Sequence, residues 1–95
     1  MSAKVTRAKA QKVLTAVRAS FGVAAGEEGP ALVMAWDWTG RGAHPAIVWE
    51  GGPYDWAILA SGGGMDEWGL VHQPVEVPGT FLEPVTGWAL GIWPE

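Results

Sequence analysis

The fold of this chain is decided by residues 3–21, which read AKVTRAKAQKVLTAVRASF. When the stretch is wound as a helix, its small and apolar residues fall in one arc about 100° wide. The arc contains Ala3, Thr6, Ala10, Val13, Leu14, Val17 and Phe21. Ser2 or Thr6 can cap the start, and Gly22 suits the position after the last turn. The pattern predicts an amphipathic helix over residues 3–21 that packs on a sheet.

Downstream of the helix, short apolar segments alternate with glycine- and proline-rich turns. The segments expected to form strands are residues 31–38, 46–50, 55–60, 68–73, 80–83 and 87–93. Residues 50–54, EGGPY, predict a hairpin connection between two of them. The prediction is one α+β domain over residues 1–95, in which the helix packs on an antiparallel meander of four to six strands over about residues 31–93.

The charge of the chain is divided between its two parts. Residues 1–20 carry five cations and no acid, namely Lys4, Arg7, Lys9, Lys12 and Arg18. Residues 21–95 carry ten carboxylates against Arg41 alone. The helix therefore has a basic face, but the acidic remainder opposes a nucleic-acid partner. An acidic mimic of nucleic acid is an alternative.

Seven tryptophans are more than one short helix is expected to cover. In a regular strand Trp36 shares a face with Leu32 and Met34. We expect two or more of the indoles to be exposed or covered by a second subunit, because Trp is enriched at binding interfaces. The candidate interface residues are Trp68, Trp88, Trp93 and Trp38, together with Asp66 and Glu67.

The sequence offers little chemistry for catalysis or metal binding. There is no Cys, which excludes disulfides and thiolate ligands. His44 and His72 have no metal-ligand spacing, and no Ser or Thr lies in a nucleophile motif. We therefore expect a non-enzymatic protein without cofactor or metal. The alternative is a ligand-binding domain or enzyme whose Trp-lined cleft uses Asp37, Glu50 or Asp55.

No apolar run approaches the roughly 20 residues that cross a bilayer, and no signal-peptide pattern follows the basic start. A cytoplasmic protein without a membrane partner is therefore expected. An exposed sheet edge also allows a homodimer.

Two segments carry a family resemblance: the tail at residues 78–94, PGTFLEPVTGWALGIWP, and the helix end at residues 18–22, RASFG. They resemble small accessory proteins encoded by actinobacteriophages. The resemblance implies a phage protein that binds a host protein in the host cytoplasm. It implies no catalytic residue.

Overall fold

The computed structural model describes residues 5–37 and 43–95, which form two helices and six strands. In chain order these are α1 (Arg7–Ser20), β1 (Ala31–Trp36), β2 (His44–Val48), α2 (Trp56–Gly62), β3 (Gly64–Met65), β4 (Val71–His72), β5 (Thr80–Thr86) and β6 (Ala89–Pro94). One antiparallel sheet has the order β1-β2-β6-β5, and β3 pairs with β4 in a second sheet. The α+β fold, with an N-terminal helix on an antiparallel sheet, is confirmed. The order corrects the meander, because the last strand lies between β2 and β5.

Helix α1 starts later than its apolar pattern predicts. Thr6 has an extended backbone, and its side chain accepts a hydrogen bond from Lys9 N at 3.1 Å, so Thr6 caps the helix. Val5 therefore precedes the helix, and residues 3 and 4 lie outside the described residues. The helix ends at Ser20, where Gly22 adopts a φ of +68° as a residue after a helix often does.

The strand predicted over residues 55–60 is wrong, because these residues form most of α2. Asp55 occupies the N-cap position, and Gly63 ends the helix with a φ of +73°. Trp56, Ala57 and Ala60 face the core, whereas Ile58 is exposed, which is a helical spacing. Residues 50–54 are consequently a turn into a helix and not a hairpin connection.

The strand predicted over residues 68–73 is also largely wrong. Only Val71 and His72 are extended, and they pair with Met65 and Gly64. Residues 66–70 form the turn between β3 and β4. The two C-terminal strands are confirmed, although β5 extends to Thr86 and β6 starts at Ala89.

Both helices pack on one face of the four-stranded sheet. Ile47 of β2 and the β6 residues Leu90 and Ile92 form the sheet side of a core cluster. The helix side includes Val13 and Val17 of α1 and Trp56, Ala57 and Ala60 of α2. The helix stripe predicted from the sequence therefore does bury its central residues against a sheet.

The opposite face of the sheet carries a second layer of aromatic side chains. Val33 pairs with Ala46, but Trp36 pairs with His44, so β1 contains one extra residue between them. This bulge places Trp36 on the side of Val33 and not, as expected, on the side of Leu32. Trp36 stacks on Trp88 with ring centroids 5.7 Å apart. The helices therefore do not have to cover all the indoles, because the outer face also holds several.

Candidate functional site

The turn between β3 and β4 is organised by the carboxylate of Asp66. One carboxylate oxygen, Oδ1, accepts hydrogen bonds from Trp68 N and Leu70 N, each at 2.9 Å. The other oxygen, Oδ2, lies 2.8 Å from His72 Nε2, which must donate because an ionised carboxylate only accepts. Backbone bonds from Asp66 N to Leu70 O and from Gly69 N to Asp66 O close the turn. The residues from Asp66 to His72 are thus held in one conformation.

The Asp66–His72 pair also attaches the hairpin to the rest of the fold. The side chain of Asp66 is only 4% exposed, and the ring of His72 stacks on Phe21 at 4.7 Å. The hydrogen bond from His72 lowers the pKa of Asp66 from its ordinary value, and the N–H groups of Leu70 and Trp68 act in the same direction. The anionic form of Asp66 is therefore the form that holds the turn.

This fixed turn displays large apolar side chains to solvent. Trp68 is 71% exposed, and Met65, Leu70 and Val71 are exposed around it. We call these four residues the hairpin patch. Single exposed apolar residues are ordinary on protein surfaces, but here four lie within one hairpin, which makes the hairpin a candidate interaction surface.

The exposed charge next to Trp68 in the turn is acidic. Glu67 is exposed beside Trp68, and residues 43–95 carry seven carboxylates and no Lys or Arg. The sequence predicted Trp68, Asp66 and Glu67 as interface candidates; in the structure Trp68 and Glu67 are exposed in one turn, whereas the Asp66 side chain is buried and holds that turn. The sequence analysis missed Met65, Leu70 and Val71, because it assigned residues 68–73 to a strand and local pattern does not show the exposure of Met65.

The other candidate tryptophans lie elsewhere. Trp88 is 37% exposed on the outer face of the sheet, so the expectation of at least two exposed indoles is confirmed for Trp68 and Trp88. Trp93, another of the candidates, is half-buried and stacks on His44 at 4.0 Å. Trp38 lies outside the described residues.

The basic face of α1 divides into free and engaged cations. Arg7 and Lys12 are exposed, Lys9 lies over Gly79, and none of the three forms an ion pair with a described carboxylate. Lys4 lies outside the described residues. Arg18 is different, because its guanidinium is committed to the fold.

Arg18 holds the loop that follows α1. Its guanidinium nitrogens donate to the carbonyl oxygens of Pro30 at 3.0 Å, Ala24 at 2.7 Å and Glu27 at 2.6 Å. The Glu27 carboxylate in turn accepts from Ala24 N at 2.8 Å. Arg18 thus has a structural role in holding this loop.

Two of the three carboxylates proposed for an acidic cleft do meet. Glu50 and Asp55 line a small open cleft together with Trp49, Trp88 and Tyr54. Asp37 follows β1 and does not line this cleft. Within residues 5–37 and 43–95, no three His, Asp or Glu side chains converge as metal ligands would.

The comparisons with known proteins find no relative. No family model matches the chain, and neither the curated proteins nor the solved structures give a significant match. No helix within the described part of the chain has the length and apolar character needed to span a bilayer.

Proposed function

We propose that this chain is a small, non-enzymatic protein-binding module that uses the hairpin patch to engage a partner protein. The observation that carries the proposal is the display of Trp68, 71% exposed, on a turn that the Asp66 carboxylate fixes. In this proposal the indole is the anchor, and Met65, Leu70 and Val71 complete the apolar contact.

The preorganised turn favours tight binding. Ordering a flexible loop on association costs free energy, and a turn that is already fixed reduces that cost. A large, rigid aromatic side chain that enters a dry pocket is the usual type of binding hot spot. Because the large side chains of the patch are exposed, its complement is an apolar pocket on the partner.

The charge beside the patch indicates which type of residue should surround the partner's pocket. Because Glu67 and the other carboxylates of residues 43–95 are not balanced by Lys or Arg in this segment, the partner should carry basic residues around its pocket. The same negative charge disfavours nucleic acid at this surface. A partner with a basic rim is also attracted at long range, which raises the association rate.

We further propose that the partner is a host protein and that the chain acts as a phage protein in the host cytoplasm. The support is the resemblance of residues 78–94 and 18–22 to accessory proteins of actinobacteriophages. Self-association through the same patch is the competing possibility, and the following experiment separates the two.

The experiment places a photo-crosslinking amino acid in the full chain, either at Leu70 in the patch or at Ile58 as the matched control. Both positions are exposed, but Ile58 lies on α2. In an actinobacterial lysate, we expect the Leu70 position to crosslink one host protein specifically, and Trp68→Ala to abolish that product. A crosslinked dimer of this chain, equal products from both positions, or a product insensitive to Trp68→Ala would contradict the proposal.

A further inference from the structure

A cleft at the start of α2 combines aromatic walls with carboxylates. Its volume is about 200 Å³. The aromatic residues in its lining are Trp49, Trp88, Tyr54 and Trp56, of which Trp56 is almost fully buried, and the acidic residues are Glu50 and Asp55. A cavity of about 150 Å³ accommodates a benzene ring, so this cleft has room for one small head group.

The aromatic walls are tied together through the backbone of Trp49. Trp49 N donates to Trp88 O at 3.0 Å, and the indole Nε1 of Trp56 donates to Trp49 O at 2.9 Å. Gly52 packs so closely on the indoles of Trp49 and Trp56 that a Cβ there would lie 2.5 Å from Trp49 Cδ2. These contacts hold the indoles of Trp49 and Trp56 in place before any ligand binds.

The carboxylates at the cleft have no structural task among the described residues. Asp55 occupies the N-cap position of α2, but its φ of 58° is left-handed and its side chain makes no capping hydrogen bond. Neither Asp55 nor Glu50 forms an ion pair with a described Lys or Arg. Both groups are thus left as negative charges at the mouth of an aromatic cleft.

We propose that this cleft binds an organic ammonium group. A cation over an indole face is attracted by the negative π surface, and Trp is the best of the aromatic residues for this contact. The two carboxylates add Coulomb attraction and hydrogen-bond acceptors, while they repel an anion. The group is carried either by a free choline-like molecule or by a lysine side chain of a partner protein. The site lies on different residues from the hairpin patch and does not depend on the function proposed for it.

The test titrates the full chain with choline and with its neutral isostere 3,3-dimethylbutan-1-ol. A short peptide with one central lysine is the third probe. Binding is followed by ¹⁹F NMR of protein labelled with 5-fluorotryptophan, in which Trp88 is assigned from a Trp88→Phe variant. We expect saturable shifts at Trp88 with choline or with the peptide, and an affinity for the isostere that is weaker by about tenfold. The tighter of the two cationic probes identifies the source of the ammonium group.

Conservative variants keep the test independent of folding. Glu50→Gln and Asp55→Asn should each weaken binding of the cationic probe by roughly threefold to tenfold. Glu67→Gln, in the hairpin, should leave the binding unchanged. Equal affinity for choline and its neutral isostere, no saturable shift with either cation, or unchanged binding in both carboxylate variants would overturn the proposal.

Discussion

The role of Arg18 in the structure differs from the role that its position in the sequence indicates. By sequence it belongs to a run of cations on α1, but the structure directs its guanidinium to three backbone carbonyls of the following loop. A residue with this role should matter for stability more than for binding.

We expect Arg18→Met to lower the free energy of unfolding by about 1–3 kcal/mol, because the loop carbonyls lose charged hydrogen-bond donors. The matched control is Arg7→Met, whose exposed guanidinium has no described partner and whose loss should cost less than about 0.5 kcal/mol. Urea denaturation of the two variants measures the difference. A similar loss in both would show that the loop does not depend on Arg18.

The turn that exposes Trp68 should depend on pH, because the ionised carboxylate of Asp66 holds it. Its pKa in the folded state lies below the ordinary value of 3.8, mainly through the hydrogen bond from His72. For a depressed pKa, the stabilisation is complete above the unfolded value and is lost as the pH falls through the folded value. Protonation of Asp66 should therefore remove part of the thermal stability of the wild type as the pH falls from 7 to below 3.8.

Asp66→Asn should lower the Tm at pH 7 and reduce the further loss at acid pH, because the amide cannot replace the charge. Circular dichroism melts at pH 7 and pH 3 give the comparison, with the exposed Glu67→Gln as control. The role assigned to Asp66 fails if wild type and Asp66→Asn have the same Tm at pH 7 and the same pH dependence.

At the scale of elements, α1 and the last two strands follow from pattern, whereas α2 does not. The run Trp56–Ala60 is apolar throughout, so its periodicity cannot separate a buried strand from a short helix. Tertiary packing decides between them, because a helix places Trp56, Ala57 and Ala60 on the core while Ile58 faces solvent. The position of β6 inside the sheet is likewise a long-range outcome that local pattern does not contain.

The turn before α2 allows a paired test of close packing. A Cβ at Gly52 would lie 2.5 Å from Trp49 Cδ2 and 2.9 Å from Trp56 Cδ1, whereas a Cβ at Gly51 would meet nothing within 4 Å. Gly52→Ala should therefore reduce the free energy of unfolding by about 1–3 kcal/mol. Gly51→Ala should change it by less than about 0.5 kcal/mol. Denaturant unfolding of both variants checks this, and equal stabilities would contradict the packing of Gly52 against the two indoles.

The hairpin of β3 and β4 could be predicted from the sequence only in part. The order Asp66-Glu67-Trp68-Gly69 contains a turn signal, since Asp bonds to nearby backbone N–H groups and Gly69 adopts a φ of +81°. The strand predicted over residues 68–73 overlooked this local signal for a turn at Trp68. The contact of His72 with both Asp66 and Phe21, which fixes the turn on the body of the fold, joins distant residues and needed the structure.

At the scale of the whole molecule, the described residues keep the cations of α1 apart from the carboxylates of the later segments. Arg7, Lys9 and Lys12 form no ion pair with the described carboxylates, and the segment that contains the hairpin patch carries only acidic charge. The described residues therefore include cations on α1 without a carboxylate partner and, on the hairpin, the exposed Glu67 beside exposed apolar side chains. Binding through the hairpin to a partner with a basic rim should weaken moderately as salt rises, because the apolar contact persists when the charges are screened.

The most direct test of the central claim is the affinity of the crosslinked partner for the full chain, measured by titration calorimetry with wild type, Trp68→Ala and Phe81→Ala. Phe81 is the matched control, because it is also an exposed aromatic residue but lies on β5. A hairpin anchored by Trp68 predicts at least about a tenfold loss for Trp68→Ala and less than about a twofold loss for Phe81→Ala. Equal losses for the two variants, or no loss for Trp68→Ala, would contradict it.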